Sequence, residues 1–272
     1  MTARSYGWEL RKLAAQRRTY LGLGAAFLAP ILLVVALRVE RPNPTDPSAS
    51  FFVRETAQSG FAVPLVLLLF ASVWLFPLVA ALVAGDIVAA EDHNRTLKTI
   101  LTRSAGRSTI FAAKVGAAFT YVLLALLVMA VTGTVAGGLT SGFTPLPTFT
   151  TVIAPGHALA LIAASMGVYA LPALAVASIG LLLSTVSRNS AGAVVGTLMV
   201  ALAMQLTQIV PGLDSPAVQR WLLTPQLDAW LALFRSPLDR GTLEHAGWVS
   251  ALYIAVCLTV AWVHFIRRDV LA

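Results

Sequence analysis

Long apolar segments separated by shorter polar ones dominate the chain. Six of them are long enough to cross about 30 Å of hydrocarbon as a helix, which takes about 20 apolar residues. They lie at residues 19–38, 61–84, 115–138, 157–183, 191–210 and 246–266. Each should be helical, because lipid offers no partner to unpaired backbone groups. The pattern predicts an all-α integral membrane protein with six transmembrane helices in a single transmembrane domain, residues 1–272.

The segments between these helices differ in character. Residues 4–18 read as an interfacial amphipathic helix, with Tyr6, Leu10 and Leu13 on one face and most basic side chains roughly opposite. The outer loop 211–245 keeps apolar clusters, so we expect short re-entrant-like helices there, with Trp221 and Trp230 at the outer membrane boundary. Mid-span prolines predict helix kinks, at Pro77 and Pro172.

Composition and charge narrow the class of protein. The chain is 58% hydrophobic and only 11% charged, whereas soluble domains carry about 25% charged residues. With both termini cytoplasmic, the inner segments hold 13 of the 19 basic residues and a net charge of +8, against −1 outside. This distribution follows the positive-inside rule for a multi-pass plasma-membrane protein. The basic excess therefore favours contact with anionic membrane lipid, not with nucleic acid.

One compact charged block, residues 86–114, interrupts the apolar pattern between the second and third predicted helices. It contains eight of the 31 charged residues, while the 30 residues before it contain none. A loop that only satisfied the positive-inside rule would need a few residues, whereas this one has 29. We interpret it as a cytoplasmic loop that docks on a soluble partner, with an apolar helix face at Leu97, Ile100 and Leu101.

This block resembles the loop after the second span of ABC-2-type permeases, the membrane subunits of ATP-binding-cassette exporters. The family pattern is matched at Glu91, Thr96, Leu97, Lys98, Leu101, Arg107 and Lys114. The sequence departs from it where Arg95 replaces a glycine and where Ser104-Ala105-Gly106 replaces a proline-containing turn. The resemblance implies a type V exporter-like architecture in which this loop couples to the ATPase, with Arg95 and Arg103 also among the coupling residues.

The resemblance also implies an assembly of two permeases, expected to be a homodimer, with two copies of an ATP-binding subunit. The sequence is consistent with this division, since it contains no Gly-x-x-x-x-Gly-Lys-Ser/Thr phosphate loop. We therefore expect no catalytic residue and no enzyme activity in this chain, with ATP and Mg bound by the partner subunit. The four scattered histidines and the single cysteine make a metal or cofactor site in this chain unexpected.

Two smaller patterns are candidates for other roles. Gly192-x-x-x-Gly196 permits close helix approach and is a possible permease dimer contact, with packing inside the chain as the alternative. The same spacing recurs at Gly133 and Gly137. Gln205 and Gln208 are polar residues deep in the fifth predicted span, so they either bond between helices or line a translocation path.

The sequence thus favours the permease subunit of an ATP-driven exporter. One alternative is a secondary transporter driven by an ion gradient, which would be expected to carry membrane-embedded acids and internal repeats. None of the predicted spans contains an Asp or Glu in its middle. A non-transporting membrane scaffold subunit is the other alternative.

Overall fold

The computed structural model describes residues 3–40, 56, 58–72, 74–93, 106–147, 152–187, 189–208, 210 and 215–267. Its first helices are α1 (Ala3–Ala14), α2 (Arg17–Glu40), α3 (Ala62–Ala71), α4 (Leu75–Ala84), α5 (Ala89–His93) and α6 (Arg107–Ser141). A two-stranded antiparallel hairpin follows, β1 (Leu146–Pro147) and β2 (Val152–Ile153). The remaining elements are α7 (Pro155–Val186), α8 (Ser190–Leu206), α9 (Pro216–Gln219), α10 (Leu223–Leu227), a 3-10 helix (Ala229–Phe234) and α11 (Arg240–Arg267).

The described part of the chain is almost entirely helical. Four of its helices, α2, α6, α7 and α11, are long and apolar enough to cross a membrane, and α3 with α4 makes a fifth if the bent pair is one span. The shorter helix α8 is also apolar. The prediction of an all-α protein with several helices long enough to cross a membrane is therefore confirmed.

The second predicted span, 61–84, consists of two helices. The axis of α3 differs by 64° from that of the segment Leu75–Asp92, which begins with α4. We expected a kink at Pro77, but Pro77 lies in the first turn of α4. The first backbone N–H groups of a helix have no intrahelical partner, so a proline there removes no hydrogen bond. The change of direction therefore precedes the proline.

The helix that contains the third predicted span begins before residue 115. Helix α6 runs from Arg107 to Ser141, so the last eight residues of the charged block form its first two turns. Gly106 precedes it in an extended conformation, and Gly142 ends it at φ 80°, a left-handed conformation that glycine adopts without strain. Lys114 consequently lies on a rigid helix instead of in a loop.

Helix α7 is the centre of the bundle. It packs against α4, α6, α8 and α11, and a run of buried small side chains from Ala173 to Gly180 lets these neighbours approach closely. The helix continues through Pro172. Small residues also bring α3 and α6 together, because a Cβ on Gly137 would lie 2.2 Å from the carbonyl oxygen of Gly60. Likewise, a Cβ on Gly133 would lie 3.1 Å from the Cβ of Pro64.

The predicted outer loop folds back into the bundle. Helix α10 and the 3-10 helix pack against α7 and α11, and Leu223, Leu227 and Trp230 are buried. Trp221 remains 43% exposed, as suits a boundary residue, but Trp230 is only 3% exposed. Trp230 therefore packs inside the chain, beside Phe234 at 5.8 Å between ring centroids, and its position at the membrane boundary stays a prediction.

Candidate functional site

Six charged side chains meet where the charged block leaves and re-enters the bundle. They come from α1, the start of α2, the turn after α4, α5 and α6, and they are Glu9, Lys12, Arg18, Asp86, Glu91 and Lys114. We call this set the ion network. Three acidic and three basic groups balance one another, so the network has no formal net charge when all six are ionised.

Helix periodicity explains how α1 contributes to the network. Glu9 and Leu13 are spaced by four residues, lie on one face and are both buried, at 2% and 5% exposure. Lys12, three residues after Glu9, reaches the Glu9 carboxylate at 3.9 Å. Its ammonium also lies 4.9 Å from the centre of the exposed Trp8 ring. The face of α1 that packs on α6 thus carries a carboxylate as well as apolar groups.

Lys114 is the central cation. Its side chain has no exposed surface, and its Nζ lies 2.6 Å from Oε1 of Glu91 and 3.2 Å from Oε1 of Glu9. It also donates a hydrogen bond to the carbonyl oxygen of Ile87 at 3.2 Å. Its hydrogen-bond acceptors are the Ile87 carbonyl oxygen and both Glu9 carboxylate oxygens, at 3.2 and 3.4 Å, while Glu91 is an ion-pair partner. Burial of this charge is tolerated because the ammonium is both paired and hydrogen-bonded.

The other contacts hold the start of the charged block. Lys12 pairs with Glu91, and Arg18 pairs with Asp86. Ser184 of α7 accepts hydrogen bonds from the backbone N–H groups of Val88 and Ala89, at 3.1 and 3.0 Å. This hydroxyl satisfies the unpaired donors at the start of α5 as a cap would. The segment from Asp86 to Glu91 is therefore held by contacts with the N-terminal helices and with Ser184 of α7.

The environment of the network changes the basicity of Lys12. Burial lowers the pKa of Lys12 to about 8, and the like charge of Lys114 acts in the same direction, while Glu9 opposes both. A cleft of about 250 Å³ lies beside these groups, lined by Glu9, Lys12, Gln16, Arg18 and Glu91 together with Leu13, Ile87 and Ala90. The network is thus partly reachable by water along α1.

The predicted coupling residues fall into two groups. Arg95, Thr96, Leu97, Lys98, Leu101 and Arg103 lie outside the described residues. Glu91, Arg107 and Lys114 are described, and each contacts the chain itself: Glu91 and Lys114 bind each other inside the network, and Arg107 donates a hydrogen bond to the Ile266 carbonyl oxygen at 2.7 Å. These three residues therefore join the charged block to the helix bundle.

The two glycines of the possible dimer contact lie in the first half of α8. Gly192 is exposed, and its N–H is bound by the side chain of Asn189, which caps the helix. Gly196 is partly covered, since a Cβ there would lie 3.3 Å from Leu183. Helix α8 comes close to a neighbouring segment at Val194 instead, because a Cβ on Gly85, at the end of α4, would lie 3.0 Å from the Val194 backbone.

The two glutamines lie at the other end of α8. Gln205 is partly buried, and its Oε1 has no hydrogen-bond partner within the described residues. It faces a cavity of about 20 Å³, room for one water molecule. Gln208 is exposed and lines a larger, open cavity of about 370 Å³ with Gln219, Pro225 and Asp228.

Sequence reasoning missed half of the ion network. Glu9, Lys12 and Arg18 were treated as parts of a basic interfacial helix, yet Glu9 is the only acidic residue among the first 39. Two signals could have paired them: an isolated acid among basic residues, and Lys114 directly before the apolar run 115–138. Within the described residues, no group of three or more His, Cys, Asp or Glu is arranged to hold a metal ion.

These features define a helical protein with several membrane-length helices, and with a buried ion network at the base of a charged loop. Residues 31–271 match the family model for DUF2705, described as a protein of unknown function, and the chain belongs to this family. The match includes Asp86, Glu91 and Lys114, while α1 precedes it. No curated protein matches the chain.

Proposed function

We propose that the chain is the membrane subunit of an ATP-driven exporter of the ABC-2 type. Two copies would assemble with two copies of a separate ATP-binding subunit, which binds ATP and Mg and performs the hydrolysis. The charged block 86–114 would dock on that subunit from the cytoplasm. The resemblance of the block to the coupling loop of ABC-2 permeases motivates this proposal, and the ion network supports it.

The proposed membrane arrangement has six crossings with both termini in the cytoplasm. Helices α2, α6, α7 and α11 have the required length and composition, and α3 with α4 would be one bent crossing. Helix α8, of 17 residues, would be the remaining one, since 17 residues is about the shortest length that spans the hydrocarbon. The exposed face of Gly192 and the neighbouring turn would then be available to a second permease.

The main support for the proposal is a direct contact between the two ends of the charged block. Glu91 near its start and Lys114 at its return are in direct contact, with 2.6 Å between Oε1 and Nζ. Arg18 and Lys12 tie the same point to the N-terminal helices. A displacement of the loop by a partner would therefore move α1, α2, α5 and α6 together. A loop without a mechanical role would not require four charged side chains, Glu9, Asp86, Glu91 and Lys114, to be buried at its base.

The test is co-purification with the ATP-binding subunit, followed by measurement of ATP turnover. Leu97→Ala with Lys98→Ala should abolish association and the stimulated turnover, because these residues would contact the partner. Arg107 is left unchanged, since it also binds the last turn of α11. The matched control is Leu238→Ala with Arg240→Ala, an apolar and a basic residue that are both exposed. Association and stimulation at the wild-type level in the Leu97/Lys98 variant would contradict the docking role.

A secondary transporter is the second candidate, and one observation favours it. The predicted spans have no mid-span acid, yet the outer loop carries Asp228 into the bundle, where its carboxylate contacts Ser72 at the break between α3 and α4. Membrane-embedded acids are typical of ion-coupled transport. Substrate movement that persists without ATP and stops when the proton gradient collapses would favour this candidate. A scaffold would move substrate under neither condition.

A further inference from the structure

The open cavity at the far end of α8 has a composition different from that of the ion network. The start of α8 lies near α5, and its end lies beside Leu223 and Leu227 of α10. Since α8 has 17 residues, the two sites are about 25 Å apart along it. The cavity, of about 370 Å³, is lined by two amides, a proline and one carboxylate, that of Asp228.

The Asp228 carboxylate has little compensation within the described residues. It forms no ion pair there with a Lys or Arg, and its hydrogen-bond partner is the Ser72 hydroxyl at 3.4 Å. That hydroxyl also lies 2.8 Å from the Leu69 carbonyl oxygen. A hydroxyl has a single proton, and the shorter contact takes it. A carboxylate held among buried Leu227, Ala229 and Trp230 without a counter-charge is costly.

A buried hydroxyl that interacts with Asp228 has no hydrogen-bond partner among the described residues. Tyr169, in the middle of α7, has no exposed surface, and its hydroxyl has no hydrogen-bond partner in the described part of the chain. The hydroxyl is near enough to Asp228 for the two to interact electrostatically. Native structures leave few buried polar groups unsatisfied, so this hydroxyl beside a carboxylate without a counter-charge needs an explanation.

We propose that Asp228 anchors a binding site for an organic cation, whose ammonium group is held by the carboxylate between Gln208 and Gln219. A positively charged ligand would supply the missing counter-charge, and charge-assisted hydrogen bonds are the strong ones. The cavity volume is in the range of small-molecule sites, about 300–1,000 Å³. Among the described residues, one carboxylate and two amides offer fewer oxygens than the six to eight that Ca²⁺ takes. The ammonium belongs either to a soluble amine or to an ethanolamine lipid headgroup.

This inference deepens the proposed function, because it names a substrate class for the exporter. Cation binding does not depend on the ATP-binding subunit, so the binding site and the exporter assignment can be tested separately. If the chain binds the cation but not the ATP-binding subunit, only the exporter assignment is wrong. A chain that couples to the ATPase but does not bind the cation would remove this site alone.

The experiment uses the full chain in phosphatidylcholine nanodiscs and two fluorescent probes. Dansylcadaverine carries a primary ammonium, and its N-acetyl derivative is the neutral match. Wild type should bind the cation, and Asp228→Asn should weaken this binding about ten- to a hundredfold, the effect of one charged hydrogen bond. Asp239→Asn is the control, because it makes the same change in an exposed carboxylate that already pairs with Arg235. Equal binding of the two probes, or no effect of Asp228→Asn, would overturn the proposal.

A second measurement leaves Asp228 intact. In a Cys257→Ala background, which removes the only cysteine, Pro225→Cys places a thiol on the cavity wall at a residue with no role in holding the ammonium. Dansylcadaverine should slow its reaction with a charged thiol reagent, whereas the acetylated probe should not. Phosphatidylethanolamine in the nanodisc should protect the thiol if the headgroup is the ligand and leave it reactive if a soluble amine is. Protection by neither ammonium would overturn the site.

Discussion

Removing the central cation of the ion network tests the described structure most directly. Lys114→Met keeps the length of the side chain and deletes its charge. Among the described residues, the Glu9 and Glu91 carboxylates, 2% and 4% exposed, then keep Lys12 as their counter-charge. Breaking a buried ion pair from one side costs about 3–5 kcal/mol. For a chain of this size, such a loss corresponds to a fall in the thermal midpoint of about 10 °C.

The assay uses the single cysteine of the chain. Cys257 is 8% exposed, so a maleimide that fluoresces on reaction reports unfolding as temperature rises. Arg240→Met is the matched control, because it deletes one exposed positive charge at the opposite end of the bundle, and its midpoint should not move. The double variant Glu9→Gln with Lys114→Met removes one charge of each sign. It should melt above Lys114→Met, because fewer buried carboxylates are then without a partner.

Two results would refute this reasoning. If Lys114→Met has the same thermal midpoint as Arg240→Met, the buried contacts of Lys114 do not stabilise the fold. If the double variant loses as much as the sum of its two single variants, Glu9 and Lys114 do not interact. Either outcome would also weaken the proposed mechanical closure of the charged loop, because that closure depends on the same ammonium group.

Three further predictions address the packing and the charges around the network. Gly137→Ala should cost about 1–3 kcal/mol in the thermal assay, because its Cβ would overlap the Gly60 carbonyl, while Gly167→Ala, which has open space around it, should not. Lys12 should titrate near pH 8, as measured by NMR of dimethylated lysines. Between about pH 8 and the ordinary pKa of 10.5, the folded chain then binds fewer protons than the unfolded chain. The contribution of Lys12 to the free energy of unfolding therefore rises with pH across that window. A midpoint near 10.5 would contradict the burial of this ammonium. Arg107→Gln should increase hydrogen exchange in the last turn of α11, because the contact to the carbonyl there is lost, and unchanged exchange would show that this contact does not hold the helix end.

Parts of the candidate site were readable from the residues alone. Glu91, Arg107 and Lys114 stood out because charge is rare elsewhere in the apolar chain. Their partners were not readable, because Glu9 is 105 residues from Lys114 along the chain and no local pattern joins the two. The predicted spans contain no acid in their middle. Asp228 comes to lie beside Ser72 because the segment 215–239 folds back onto the bundle, which depends on long-range packing of its apolar residues.

The chain's sequence by itself determined the all-α class and the membrane length of its main helices, because apolar run length and the need to satisfy backbone hydrogen bonds are local properties. It also determined where charge concentrates. The tertiary structure decided which charges are buried together, where the second apolar segment breaks, and which outer residues enter the bundle. Those outcomes depend on contacts between residues far apart in the chain, and in particular on how closely α7 allows its neighbours to pack.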